Sequence, residues 1–166
     1  MGVIFHAGQA ERLFRESMKI IVQNRKARHD YYIEESLEAG IVLLGSEVKS
    51  IREGRANIAQ AYVVESEGEL FLQGVHISPY SRAAFPHEPL RRRKLLLKKR
   101  QILKLFHNIQ KKKMTAVPLC FYLNDKGWIK AQIGLARGKE KEDKRQAIKE
   151  REWAVEKQRL FKKTFQ

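Results

Sequence analysis

From Asp30 onward, branched and aromatic residues come in short bursts rather than on a helical period. The bursts read DYYIEESLEAGIVLLGSEV, AYVVES, ELFLQGVHI, TAVPLCFYL and GWIKAQIGLA. Bounded by Gly, Pro, Asn and Asp, they predict β-strands. The first burst reads as a strand pair folded about Glu38-Ala39-Gly40. Glu67-Gly68 predicts a tight hairpin between the second and third, and Asn124-Asp125-Lys126-Gly127 a turn between the last two. Within GSEVKSIREG, Ser46 is placed to cap a short helix and Gly54 to end it. Pro79, Pro86 and Pro89 mark a loop. Beyond it, RRRKLLLKKRQILKLFHNIQKKK sets Leu95, Ile102, Phe106 and Ile109 on one helical stripe, flanked by Leu96, Leu103 and Leu105. Near the N-terminus, Leu13, Phe14, Met18, Ile21 and Val22 have the spacing of a short amphipathic helix, read here as an extension outside the domain.

Five or six short strands with a small helix early and a longer helix before the last pair give an α+β, mainly β, outline. An antiparallel barrel of the oligonucleotide-binding type is a natural candidate. A ferredoxin-like sheet fits the pattern as well. The organisation that follows is an N-terminal extension over residues 1–23, a β-barrel domain over 24–136 and a basic C-terminal tail over 137–166.

Charge changes the picture. The 166 residues hold 34 Lys and Arg against 19 Asp and Glu, a formal net charge of +15. Such a surface calls for a polyanion: RNA, DNA or an anionic membrane. The charge is also clustered. Arg25, Lys26, Arg28 and His29 precede the first strand. The stretch Arg91–Lys113 has eleven Lys and Arg and no acid, so if one helical face serves the core, the other becomes a ridge suited to phosphates.

The tail has eleven Lys and Arg against six Asp and Glu from Arg137 onward. Wound at about 100° per residue, its apolar residues fall on several lines: Ala147, Ala154 and Phe161; Ile148 and Val155; Trp153 and Leu160. No single apolar face results, so this helix has no means of docking on its own domain. Alone in water it is expected to be unstructured, and surrounded by RNA it is expected to be ordered.

Cys120 is the only cysteine, which excludes an internal disulfide and a thiolate zinc cluster and fits a reducing cytoplasm. No run approaches the roughly 18 apolar residues of a membrane span, and the first residues do not read as a secretory signal. HExxH, P-loop and nucleophile-elbow motifs are all lacking, so the chain does not read as an enzyme and no cofactor is expected. On these features alone a general RNA-binding or ribosomal protein remains an alternative.

Several separated segments go further. NRKARHDYYIEESLEAGIVLLGSEVKSIREGRANI, ELFLQGVHISPY, RKLLLKKRQI and GLARGKEKEDKRQAIKEREW resemble, in order and spacing, the SmpB family of bacterial tmRNA-binding proteins, from about Asn24 to the C-terminus. The resemblance implies an oligonucleotide-binding-type barrel and a tail that is unstructured in free solution. It also implies a role in trans-translation. The barrel would bind the tRNA-like domain of tmRNA (SsrA RNA) and, with elongation factor Tu, deliver alanyl-tmRNA to ribosomes stalled on non-stop messages. The tail would enter the vacant mRNA channel of the small subunit, meet its rRNA and fold there as a helix, allowing tagging of the nascent chain and rescue of the ribosome.

Carried over by position, the resemblance puts Asn24, Glu38 and Leu96 at the tmRNA-binding surface. The basic residues Arg25, Lys26, Arg28, Arg92, Arg93, Lys94, Lys98 and Lys99 are expected around them. His29 matches a position facing the decoding centre. Gly138, Lys139, Asp143, Lys144, Arg145, Ile148, Lys149, Arg151, Glu152 and Trp153 match the tail motif of the mRNA channel. The chain departs from the family pattern at Glu142, where an aromatic or histidine is usual, and at Lys98, which replaces a common histidine. It also departs at Ala59-Gln60-Ala61 and in its longer N-terminal extension.

Overall fold

The computed structural model describes residues 18–111 and 113–164. Among them, seven strands form one antiparallel sheet in the order β1-β8-β9-β2-β7-β5-β4. The strands are β1 (Lys19–Gln23), β2 (Tyr31–Ile41), β4 (Tyr62–Ser66), β5 (Glu69–Gln73), β7 (Arg93–Leu96), β8 (Thr115–Leu123) and β9 (Ile129–Gly138). β4 also lies beside β8, which brings the far ends of that order together as a barrel does. A small pair, β3 (Ala56–Asn57) with β6 (His76–Ile77), closes one side. Four helices flank the sheet: α1 (Arg25–Asp30), α2 (Gly45–Arg52), α3 (Lys99–Lys111) and α4 (Lys141–Thr164).

The turns predicted at Glu67-Gly68 and Asn124–Gly127 are present. Glu67 and Gly68 both take positive φ, 55° and 77°, the twist a two-residue turn needs, and Ser66 faces Glu69 across it. At the β8–β9 turn Gly127 has φ 75°. Gly54 ends α2 with φ 73°.

Four expectations are corrected. The first burst is not a strand pair, because Glu38-Ala39-Gly40 lies inside the continuous strand β2. Gly40 is there for space, since a Cβ at that position would stand 3.1 Å from Leu96 Cβ on β7. The basic segment after the loop starts as a strand, not a helix. From Arg93 to Leu96 burial alternates, with Arg93 and Leu95 inward, and the helix begins only at Lys99. From there Ile102, Leu105, Phe106 and Ile109 face the core as the stripe predicts. Residues 19–23 belong to the sheet, where the β-branched Ile20, Ile21 and Val22 favour a strand and β1 pairs with β8. The barrel therefore starts before Asn24; Leu13 and Phe14 lie outside the described residues. Finally Ser46 sits within the first turn of α2 rather than capping it, and Glu47 Oε2 accepts from the Leu44 amide instead.

Beneath the 78–92 loop lies a buried ionic network. Glu47 is wholly enclosed and meets two guanidinium groups, Arg91 at 2.5 Å and Arg93 at 2.9 Å. Arg93 is 1 % exposed, and it also donates to the carbonyls of Val75 and, at 2.8 Å, Pro89. His87 completes the anchor. Its Nε2 donates to the Ile77 carbonyl at 3.1 Å, and its Nδ1 shares a hydrogen bond with the Ser46 hydroxyl at 2.9 Å. Burial pushes the Glu47 carboxyl up, but its bonds from Arg91, the Leu44 amide and Arg93 outweigh this and hold it below the usual carboxylate range.

Glu47→Gln leaves the buried Arg93 charge uncompensated and should cost about 3–5 kcal/mol of stability. Because the folded pKa is the lower one, Glu47 stabilises fully above its unfolded value of about 4.3, and that contribution is lost as pH falls through the folded value. Urea unfolding should therefore show well-separated midpoints for the two proteins at neutral pH and converging midpoints in strong acid. Equal midpoints at neutral pH would contradict this role for the network.

Candidate RNA-binding surfaces

One surface forms on the outer face of β2, β7 and β9. Gly40 lets β7 approach closely, which sets Leu96 beside Glu38 at the start of α3. Glu38, Gly40, Leu96, Lys98, Gln101 and Lys130 line an open groove of about 500 Å3. Leu96 is 54 % exposed, so it is not a core residue despite its place in the LLL run. An acid in a site for a polyanion needs an explanation, and the geometry provides one. Tyr122 donates its hydroxyl proton to Glu38 Oε2, while Lys130 Nζ stands 3.7 Å from Oε1. Burial first, and then the Glu38 carboxylate, push the Tyr122 hydroxyl far above its usual range, so it stays a donor. Glu38 is thus a carboxylate pinned by Tyr122 with a lysine beside it. It can accept a hydrogen bond from a base N–H or a ribose hydroxyl without presenting a bare negative charge.

Sequence reasoning named Glu38, Leu96 and Lys98 here and missed Tyr122, Gln101 and Lys130. The β8–β9 register, which sets Tyr122 opposite Lys130 as the second pair from the Asn124–Gly127 turn, is the signal that links those two.

The basic stretch around α3 is less uniform than its composition. Arg91 and Arg93 serve Glu47, Lys94 pairs with Glu69, and Lys104 pairs with Glu35. Arg93 as an RNA contact is therefore corrected: a residue with its guanidinium in the core cannot reach phosphate. Arg92, Lys98, Lys99 and Arg100 are exposed and have no ion pair among the described residues.

A second surface forms where α1 meets the root of α4. Asn24 is corrected as a direct contact. It is 4 % exposed and its side chain is spent, with Nδ2 donating to the Ile58 and Pro118 carbonyls and Oδ1 accepting from the Ala27 amide at 3.0 Å. It caps α1 and fixes that helix to the barrel, with Arg25, Lys26 and Arg28 on its outer side. His29 Nδ1 stands 2.9 Å from Asp30 Oδ1, which makes that nitrogen the donor and leaves Nε2 for an outside partner.

Asp30 is the residue that sequence reading missed at this site. It receives His29, Lys26 at 4.0 Å and Lys144 of α4 at 3.4 Å, and its carbonyl accepts from the Lys139 amide. The His29 hydrogen bond above all, with the lysine charges opposing a small burial cost, holds its carboxyl below the usual range. Lys139 Nζ reaches the Arg28 carbonyl at 3.1 Å and lies 4.7 Å over the Tyr32 ring. These contacts set the direction in which α4 leaves.

α4 is a continuous helix of 24 residues, roughly 36 Å long at 1.5 Å per residue. Its presence differs from the unstructured tail expected off the ribosome. Good helix formers run its whole length and Asp143 accepts from the Glu140 amide at its start, which accounts for helical backbone without a packed face. The lack of a single apolar face holds. Arg145, Ile148, Lys149, Arg151, Glu152 and Val155 are exposed, and Trp153 is 75 % exposed. Gly138 is exposed at the root. The side chain of Glu142 lies outside the described residues.

No helix among the described residues is long and apolar enough to cross a membrane, and no cluster of His, Cys, Asp and Glu suited to a metal occurs among them.

Comparison with known proteins identifies the family. A family model described as SmpB protein matches residues 21–163. The SsrA-binding protein of Rhodospirillum rubrum is 51 % identical over 144 residues, spanning 86 % of this chain and 90 % of that one. The SsrA-binding protein of Wolbachia pipientis is 51 % identical over 146 residues, spanning 87 % and 98 %. A solved structure described as "tmRNA-SmpB: a journey to the center of the bacterial ribosome" is 42 % identical and superposes with a TM-score of 0.61, covering 76 % of this chain and 92 % of that one. The chain belongs to the SmpB family, a family of RNA-binding proteins rather than enzymes.

Proposed function

We propose that this chain binds the tRNA-like domain of tmRNA with its barrel and takes part in trans-translation in the bacterial cytoplasm. With elongation factor Tu it delivers alanyl-tmRNA to ribosomes stalled on messages without a stop codon. The basic tail over residues 137–166 then occupies the vacant mRNA channel and contacts small-subunit rRNA. Residues 1–23 are assigned no role in binding.

The observation that carries this reading is the separation of two surfaces along one strand. β2 begins at Tyr31, beside Gly138 and the root of α4, and reaches Glu38 seven residues later, roughly 23 Å on at about 3.3 Å per residue. One end can hold a structured RNA while the other points a cationic helix elsewhere. At the first end, the pinned Glu38 and exposed Leu96 read ribose and base, and Arg92, Lys98 and Lys99 neutralise phosphate. At the other, His29 Nε2 is available to stack or hydrogen-bond at the decoding centre. α4 then runs on with lysine and arginine toward phosphate and Ile148 and Trp153 toward base or ribose.

The channel test is one of competition. An isolated helix without a packed face is marginal in water, so its ordered form needs contacts. Message and tail are both candidates for one phosphate-lined space, and only a vacant space gives the tail enough contacts to stay.

Deleting Asp143–Gln166 should leave the affinity for a tRNA-like-domain transcript nearly unchanged in gel shift while abolishing peptide tagging on stalled ribosomes. Loss of binding on that deletion would refute the division of labour. Reversing Arg92, Lys98 and Lys99 to Glu should weaken the same transcript strongly and flatten the salt dependence of binding, by about 0.7–0.9 in log–log slope for each phosphate no longer neutralised. An unchanged slope would remove these residues from the interface. Equal affinity for this transcript and for bulk tRNA at every salt concentration would favour a general RNA-binding role instead.

A further inference from the structure

The β8–β9 turn carries a tryptophan that the fold does not use. Asn124 builds the turn without it: its Oδ1 accepts from the amides of Lys126 and Trp128 at 3.1 and 2.8 Å, and its own amide donates to the Trp128 carbonyl at 3.0 Å. None of these bonds requires an indole, and Trp128 is 68 % exposed. It borders a notch of about 440 Å3 between the turn and α2. Ile41, Leu43, Val48 and Ile129 give this notch an apolar wall, and Arg52 and Lys126 give it two cations. Arg52 Nη2 donates to the Gly127 carbonyl at 3.0 Å, which ties the turn to α2 and fixes the shape of the notch. Asp125 is the acid within the turn, and Lys126 is exposed on it.

Position narrows the occupant. Ile41 and Ile129 are the chain neighbours of Gly40 and Lys130, which line the Glu38–Leu96 groove. Successive strand residues point to opposite faces, so the notch lies round the strand ends from that groove, and an RNA in the groove reaches it by extending past the ends of β2 and β9. A flat exposed ring, an aliphatic wall and cations beside them match a nucleotide turned out of its stack, with the base on the indole and the phosphate on Lys126 and Arg52. An apolar peptide side chain would fill the wall and leave both cations without a counter-charge, so the charge favours RNA.

We propose that Trp128, with Lys126 and Arg52, forms a second contact for the tRNA-like domain of tmRNA, stacking one unpaired base of that RNA on the indole. This rests on the tmRNA reading above and extends the bound surface round the end of β9.

The chain has two tryptophans, so Trp153→Phe makes Trp128 the sole indole. Titrating that full-length variant with a tRNA-like-domain transcript should quench its fluorescence over the same concentrations that shift its mobility on a gel. Trp128→Ala in the otherwise unaltered chain should weaken the transcript about tenfold with no change in salt slope, and Trp128→Phe should recover most of that loss. Lys126→Ala should instead lower the slope by about 0.7–0.9. If Trp128→Ala fails to fold, the quench and the Trp128→Phe variant decide. A transcript that binds with no quench and with equal affinity for Trp128→Ala would overturn the site while leaving tmRNA binding intact. Quenching by isolated small ribosomal subunits but not by the transcript would assign the indole to rRNA and likewise overturn it. Quenching by an apolar peptide alone would make the notch a protein-docking surface and overturn it too. Absence of any mobility shift would defeat the tmRNA reading and this site together.

Discussion

The β2–β9 ladder is the constraint on which the molecule depends. Its antiparallel register runs from Tyr31 opposite Gly138 to Gly40 opposite Lys130, broken once by a bulge near Glu34. Such a ladder fixes relative position without reference to side-chain chemistry, because every paired backbone group specifies the next. One end holds the groove of Glu38, Gly40 and Lys130, and the other carries Tyr31, Gly138 and the start of α4. A one-residue slip of β2 would turn Glu38 toward the core and Ala39 toward solvent, and a slip of β9 would do the same to Lys130 and Ala131. The buried state of Ala39 and Ala131 therefore also protects the site.

Charge in this protein divides into two kinds that composition does not separate. Arg91 and Arg93 belong to the architecture, holding the 78–92 loop through Glu47, while Arg92 between them faces outward. The alternation is that of a strand, so reading this stretch as a helix also misassigned its arginines. A helical stripe with Leu95 on it and a strand with Leu95 inward share the same hydrophobic residues at that point; the distinction lies in Glu47, 46 positions away, whose buried carboxylate requires Arg93 inside. Long-range pairing of this kind is invisible to local pattern.

The same limit explains what else was and was not legible. Turns announced themselves, since Glu67-Gly68 and Asn124–Gly127 are chemically committed to their conformations. The hydrophobic stripe of α3 was legible from Ile102 onward. Gly40 looked like a turn because its actual reason, the approach of Leu96 from another strand, is tertiary. Asn24 was named only through the family resemblance, and its amide is consumed in capping α1 and holding it to the barrel, which leaves nothing for RNA. Tyr122 and Asp30, which pin Glu38 and the root of α4, carry no local signature. In the tail the scatter of Ile148, Trp153 and Val155 around a helix is a property of spacing alone, and all three are exposed, whereas the continuous helix that carries them was not expected.

The central claim is that α4 responds to vacancy of the message path while the barrel holds RNA independently of it. A hydroxyl-radical source tethered through Trp153→Cys, in a Cys120→Ser chain, reports the surroundings of the helix on ribosomes loaded with tmRNA. Ribosomes whose message ends at the occupied codon should show cuts in the small-subunit rRNA lining the vacant path, and ribosomes whose message extends well beyond it should show none there. The same cuts on both, with tmRNA bound equally, would contradict the account.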